Sequence, residues 1–141
     1  MPFGLVPTFV AMQIAVIEYG IHRWDLERTC GDPNFDLPSD IAAASIAMIP
    51  GLLPMLAAGS KAPPSAPIAV RLRSDVATHT LAFDGVWAPV KSTVLPTCTI
   101  DANASDLTMF YIGRLDAHAA GITIDGSLEA AERFKQYFPG P

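Results

Sequence analysis

"IAVRLRSDVATHTLAFDGVWAPV", residues 68–90, is the stretch on which the fold class turns. Ile68, Val70 and Leu72 alternate with Ala69, Arg71 and Arg73, the two-residue period of a strand with one face in a core and the other in water. Thr78 to Phe83 reads as the next strand, Asp84-Gly85 as a hairpin turn and Val86 to Val90 as the return. Pro89 cannot donate to a ladder, so that returning strand is expected at a sheet edge.

Working outward, Thr97 to Asp101 is a fourth strand candidate and Ile122 to Ile124 a short fifth, ahead of an Asp125-Gly126 turn. Ser105 suits the cap of a helix running to about Ala117. Ser127 suits the cap of a last helix whose Leu128, Ala131, Phe134 and Phe138 form one apolar stripe. Upstream the pattern is helical. A long helix spans Thr8 to Cys30, with a possible cap at Thr8, a closing Gly31 and Pro33 just beyond. Pro38 opens a second helix through the apolar run 41–59, and "GSKAPPSAP", 59–67, is a linker by composition. The expected fold is α+β: a long N-terminal helix, a second helix, then a small, mainly antiparallel sheet with helices. A domain boundary falls before the second helix, dividing 1–31 from 32–141, or at the linker.

With 141 residues, half of them hydrophobic, the chain suits one domain, or one small domain with an appended element. Fourteen acidic against nine basic residues leave a net charge of -5, and the scattered cations argue against a nucleic-acid partner. Cys30 and Cys98 stand in no CxxC pattern and read as free, buried thiols of a cytoplasmic protein. Cys30 would sit at the negative end of a helix dipole, which discourages a thiolate there. The start of the chain has no signal-peptide pattern and reads as mature protein. The uncharged run 41–59 approaches the length of a membrane span. However, Pro50, Gly51 and Pro54 interrupt it and no aromatic belt flanks it, so a packing helix bent near Pro50 is expected instead.

The chemistry-bearing pattern is "EYGIHRWD", 18–25. Residues four apart on a helix project from the same side, so Glu18 and His22 are placed as two ligands of one metal, with a polar helix face as the plainer alternative. A carboxylate and an imidazole both suit zinc, but a catalytic zinc site takes three protein ligands, and this pair is one short. Asp25 could orient the His22 ring or pair with Arg28. Leu107, Tyr111, Arg114 and His118 fall on one expected helical stripe, from which Arg114 could meet a substrate anion or simply pair with Asp116 or another carboxylate. His79 reads as a sheet residue. GxSxG, GxxxxGK[ST] and post-strand GxGxxG motifs are absent from the sequence.

"FGLVPTFVAMQIAVIEYGIHRWDLERTCGDP" resembles the last bundle helix of the mycothiol-dependent maleylpyruvate isomerase family, within the DinB-like superfamily of metal-binding four-helix bundles. The matching positions are Gly4, Pro7, Glu18, His22, Arg23, Asp25 and Gly31. "SDLTMFYIGRLDAHAAGITIDGSLEAAERF" looks like that family's C-terminal α+β domain, which is sterol carrier protein-like. The resemblance implies that Glu18 and His22 are zinc ligands and that Arg114, in a Gly-Arg pair, is a catalytic residue that meets carboxylates or developing enolate charge. It implies zinc and mycothiol as cofactors, a small-molecule substrate, and isomerase or thiol-transferase chemistry by a metal-activated thiolate. The third ligand of the family, a histidine on an earlier bundle helix, has no counterpart here, and the expectation is that those earlier helices are absent. An alternative follows from the same deficit: a truncated, non-catalytic relative that binds a partner or an apolar ligand. Phe9, Val10, Met12, Val16 and Ile17 need a bundle to cover them, so self-association or docking onto a partner bundle is expected.

Overall fold

The structure, a computed structural model, describes residues 7–140; Gly4 of the lead-in motif lies outside them. Ten elements follow in order: α1 (Thr8–Cys30), α2 (Ser39–Ala57), β1 (Ile68–Arg73), β2 (Thr78–Phe83), β3 (Trp87–Val90), β4 (Cys98–Asp101), α3 (Ala104–Tyr111), β5 (Thr123–Gly126), α4 (Leu128–Glu132) and α5 (Phe134–Tyr137). The fold is α+β, and the sheet runs β3-β2-β1-β4-β5. Three of its ladders are antiparallel, and β1 pairs with β4 in parallel. Pro89 sits on the edge strand β3, where no outer neighbour needs its missing N–H.

Register assigns the two faces. Val70 lies opposite Leu81 on one side and Cys98 on the other, and Leu72 lies opposite His79 and Ile100, so these side chains share the helix-covered face. Val70, Leu72, Leu81, Cys98 and Ile100 are fully buried there. On the opposite face Arg71 donates from Nε to Thr80 Oγ1 (3.2 Å) and from Nη2 to the Val94 carbonyl (2.8 Å). That arginine ties down the 91–97 connection, which must pass from β3 across to β4, and Thr80 and Thr99 are buried beneath it.

α2 is long and apolar enough to cross a membrane by length and composition alone. In this fold it is the central core helix, with Ile46, Ile49 and Leu53 fully buried. It stays helical through Pro50 and Pro54. An aromatic chain closes the other end of the core: Trp87 meets Phe138 at 4.6 Å between centroids, Phe138 meets Phe134 at 4.7 Å, and Phe134 meets Phe110 at 5.0 Å. Tilted pairs at such spacings contribute about 0.5–1.5 kcal/mol each beyond simple burial.

α1 touches this body along a narrow stripe of Ile17, Gly20 and Trp24, three and four residues apart. A methyl group at Gly20 would stand 2.8 Å from Ile41 Cγ2, so the absence of a side chain is what lets the helix approach α2. Phe9, Met12, Val16 and Tyr19 remain 52–70% exposed, while Val10 is half-buried and Ile17 is buried.

Several local expectations are corrected. Thr8 is the first helical residue, and Pro7 precedes it as the cap without a side-chain hydrogen bond. Pro38 likewise stands at the cap of α2 rather than inside it. Asn103, not Ser105, caps α3, its side chain accepting from Asp106 N at 2.8 Å. Ser105 Oγ instead accepts from Leu37 N at 2.9 Å. The last helix is broken at Arg133 into α4 and α5. Cys30 is exposed, because α1 ends in solvent; Cys98 is buried, and desolvation pushes its thiol up to about 11.

Candidate functional site

α3 ends at Tyr111, six residues before the expected Ala117. The stop is a hydrogen-bonded reversal: Gly113 N donates to Phe110 O at 2.9 Å, and Arg114 N donates to Met109 O at 2.8 Å. Gly113 adopts φ +87, which a side chain would resist, and a Cβ there would lie 3.0 Å from Lys135 Cε. Arg114 therefore leaves the helix in a turn rather than on the stripe with Leu107 and Tyr111. His118 lies farther along the same irregular segment, paired with Glu132 at 2.8 Å.

This reversal turns Arg114 back toward α1. Glu18, Ile21, His22, Ile112 and Arg114 line one cleft of about 140 Å³. Two residues of one helical turn and an arginine 89 positions beyond Asp25 thus face the same space. Asp25 closes the arrangement. Arg114 Nε lies 3.2 and 3.3 Å from the two Asp25 oxygens, and Nη2 is 3.2 Å from Oδ2.

Asp25 Oδ2 is 4.0 Å from His22 Nδ1, beyond hydrogen-bond length, so the carboxylate engages Arg114 more closely than the imidazole. The Asp25–Arg28 pair does not form. Arg28 reaches the Phe35 carbonyl from Nε at 3.0 Å, Asp36 at 3.8 Å, and lies over the Trp24 ring at 4.9 Å.

Glu18 and His22 are exposed, with the His22 side chain 75% accessible. Their donor chemistry fits a divalent metal. Among the described residues no group of three or more His, Cys, Asp or Glu side chains stands together to complete a metal site. A metal held here would need a further donor.

A second cleft continues from the first, sharing Glu18, Ile21 and Ile112. It runs between α1 and α2 over Ile14, Ile17, Met48, Leu52 and Leu56, encloses about 70 Å³, and reaches Lys135. Lys135 is the residue that sequence reading missed. It sits on the last helix next to buried Phe134, where a charged residue reads as an ordinary wet-face position. Its Nζ donates to the Tyr111 carbonyl at 3.2 Å, and no carboxylate pairs with it among the described residues. Burial and, secondarily, the nearby Arg114 cation hold its pKa below the usual lysine value.

Tyr111 lines the same apolar cleft. Its hydroxyl is hydrogen-bonded to Ser45 Oγ and lies 3.2 Å from the Ser45 carbonyl. Burial, opposed in part by that Ser45 contact, pushes its pKa up to about 12. His79 stands apart, on the helix-covered sheet face beside Leu72. Its Nε2 is buried without a partner, and desolvation lowers its pKa while the Ile46 carbonyl, to which Pro50 cannot donate, opposes the shift.

No known family model matches the chain, and no curated protein matches it. Among solved structures it is similar to the sterol carrier protein 2 of Yarrowia lipolytica in its apo form, with a TM-score of 0.38 and 10% identity, covering 72% of this chain and 89% of that one.

Proposed function

We propose that this chain is a member, or the C-terminal portion of a member, of the mycothiol-dependent maleylpyruvate isomerase family, and that it supplies one wall of a metal-assisted, thiol-dependent isomerase or thiol-transferase site. The supporting observation is the convergence of Glu18, His22 and Arg114, residues singled out separately in the sequence, on one cleft. Glu18 and His22 would hold a divalent metal, zinc by the family resemblance, together with a donor from outside the described residues. When bound, such a metal would lower the pKa of a thiol ligand toward neutrality, mycothiol by the family resemblance.

The chain's own contribution to the chemistry is electrostatic. Arg114 presents a planar fork of N–H donors that suits a substrate carboxylate or a developing enolate oxygen. Asp25 fixes that fork and so acts as a positioning residue, with its second role toward His22 reduced to a 4.0 Å approach. The free thiols Cys30 and Cys98 fit a cytoplasmic protein. Zinc content after dialysis of the purified chain tests the assignment: zinc retained by the wild type and lost from Glu18→Ala and His22→Ala supports it, and equal zinc in all three overturns it.

A second reading is a non-catalytic binding module. The apolar cleft between α1 and α2 and the exposed Phe9, Met12, Val16 and Tyr19 favour it. On that reading α1 docks through this outer face onto a second copy or a partner bundle, and the cleft holds an apolar ligand. Light scattering of a strictly monomeric chain would count against the docking half of it.

A further inference from the structure

The cleft over α1 and α2 is lined mainly by apolar side chains, with Lys135 its one cation among the described residues. Its walls are Ile14, Ile17 and Ile21 from α1, and Met48, Leu52 and Leu56 from α2. Lys135 also lines it, its stem crossing Gly113 so closely that a Cβ there would stand 3.0 Å from Cε and 3.3 Å from Cδ. Lys135 and Arg114, the residue after Gly113, both line a wider depression of about 450 Å³ that opens to solvent and that Asp116 and Glu132 also border.

Arg114 has Asp25 as a counter-ion. Among the described residues Lys135 Nζ has the Tyr111 carbonyl as its hydrogen-bond partner and no carboxylate. A half-buried ammonium beside a guanidinium is electrostatically incomplete, since each cation disfavours the other and burial strips Lys135 of water. An anion placed beside Lys135, within reach of Arg114, relieves that ammonium. Among the described residues the one acidic group lining the apolar cleft is Glu18, which also borders the cleft shared with His22.

We propose that Lys135 and Arg114 bind the head group of a small carboxylic acid whose short apolar tail lies in the cleft between α1 and α2. This rests on the proposed role of Arg114 and extends it by naming Lys135 as a second anion-binding residue and an amphipathic monocarboxylate as the ligand class. The small volume selects tails of a few carbons over long acyl chains.

The probe is hexanoate, titrated into the full chain by calorimetry beside acetate, which lacks the tail, and hexanol, which lacks the charge. Hexanoate is expected to bind more tightly than either, with affinity rising about four-fold per methylene from butyrate to hexanoate. Lys135→Met keeps the stem and removes the charge; it is expected to weaken hexanoate at least about ten-fold while leaving hexanol unchanged. A circular dichroism melt of the variant checks that it folds, and Lys135→Arg is expected to restore most of the binding. Equal affinity for hexanoate and hexanol, or hexanoate binding unaffected by Lys135→Met, overturns the proposal. Zinc retention, measured on the same preparations, reports on the metal pair separately, so failure of that reading is distinguishable from failure of this one.

Discussion

Arg114 and Asp25, on segments 89 residues apart, meet through two guanidinium nitrogens and both carboxylate oxygens at 3.2–3.3 Å. The pair joins the turn after α3 to the C-terminal part of α1, beside the cleft that Arg114 shares with Glu18 and His22. Both side chains are about a third exposed, 32% and 37%, so solvent screening limits what the pair adds to stability. A double-mutant cycle with Asp25→Asn and Arg114→Gln is expected to give a coupling of roughly 0.5–1 kcal/mol. The larger effect should be on ligand binding, because Asp25→Asn frees the Arg114 fork to move. Zero coupling would mean that the pair does not persist in solution.

Gly113 is expected to tolerate no side chain. Gly113→Ala combines a left-handed backbone, costing about 1–2 kcal/mol for an L-residue, with a clash against the Lys135 stem. Urea denaturation should show a loss of at least about 1 kcal/mol. An unchanged midpoint would show that the chain reversal after α3 is not built as described.

Tyr111→Phe removes the hydroxyl that engages both Ser45 Oγ and the Ser45 carbonyl, leaving a fully buried Ser45 hydroxyl without that partner. The expected cost is about 1–3 kcal/mol, read as a lowered denaturation midpoint. Tyr111→Phe together with Ser45→Ala should recover part of it, since no buried polar group is then orphaned.

Acid sensitivity should trace to His79. Its pKa in the folded chain lies below 6.5 through burial, so the unfolded chain takes up a proton that the folded chain resists. The contribution is fully present above pH 6.5 and is lost as pH falls through the depressed folded value. Asp106, raised mainly by burial, acts in the opposite sense around the carboxylate range, favouring the fold on acidification. Comparison of wild type with His79→Gln isolates the histidine: the variant's stability should fall less steeply on the acid side of 6.5. Parallel profiles would contradict the assignment.

What was legible in the sequence was local. The alternation from Ile68 to Arg73 and the Asp84-Gly85 turn gave β1, β2 and β3 nearly to the residue, because a half-buried hairpin writes its period and its turn into adjacent positions. The long helix Thr8–Cys30 was legible from its boundary residues, with Gly31 and Pro33 marking its end. The parallel pairing of β1 with β4 was not, since nothing in 91–97 announces a crossover. The α3 stripe was misread because Gly113 fits a helical period by position and breaks it by conformation. Glu18 and His22 were visible as an i, i+4 pair. Their meeting with Arg114, and the placement of Lys135 in the adjoining clefts, depend on tertiary contacts that no spacing encodes.

The shared site of Glu18, His22 and Arg114 is tested most directly by titrating Co(II) into the isotopically labelled chain and following paramagnetic broadening by NMR. Broadening is expected to centre on Glu18 and His22, to extend across the cleft to Ile112 and the Arg114 Nε–H, and to vanish in His22→Ala. Broadening centred on another cluster such as His118 and Glu132, or no localised broadening with Co(II) in excess over the chain, would contradict a metal pair on α1 facing Arg114.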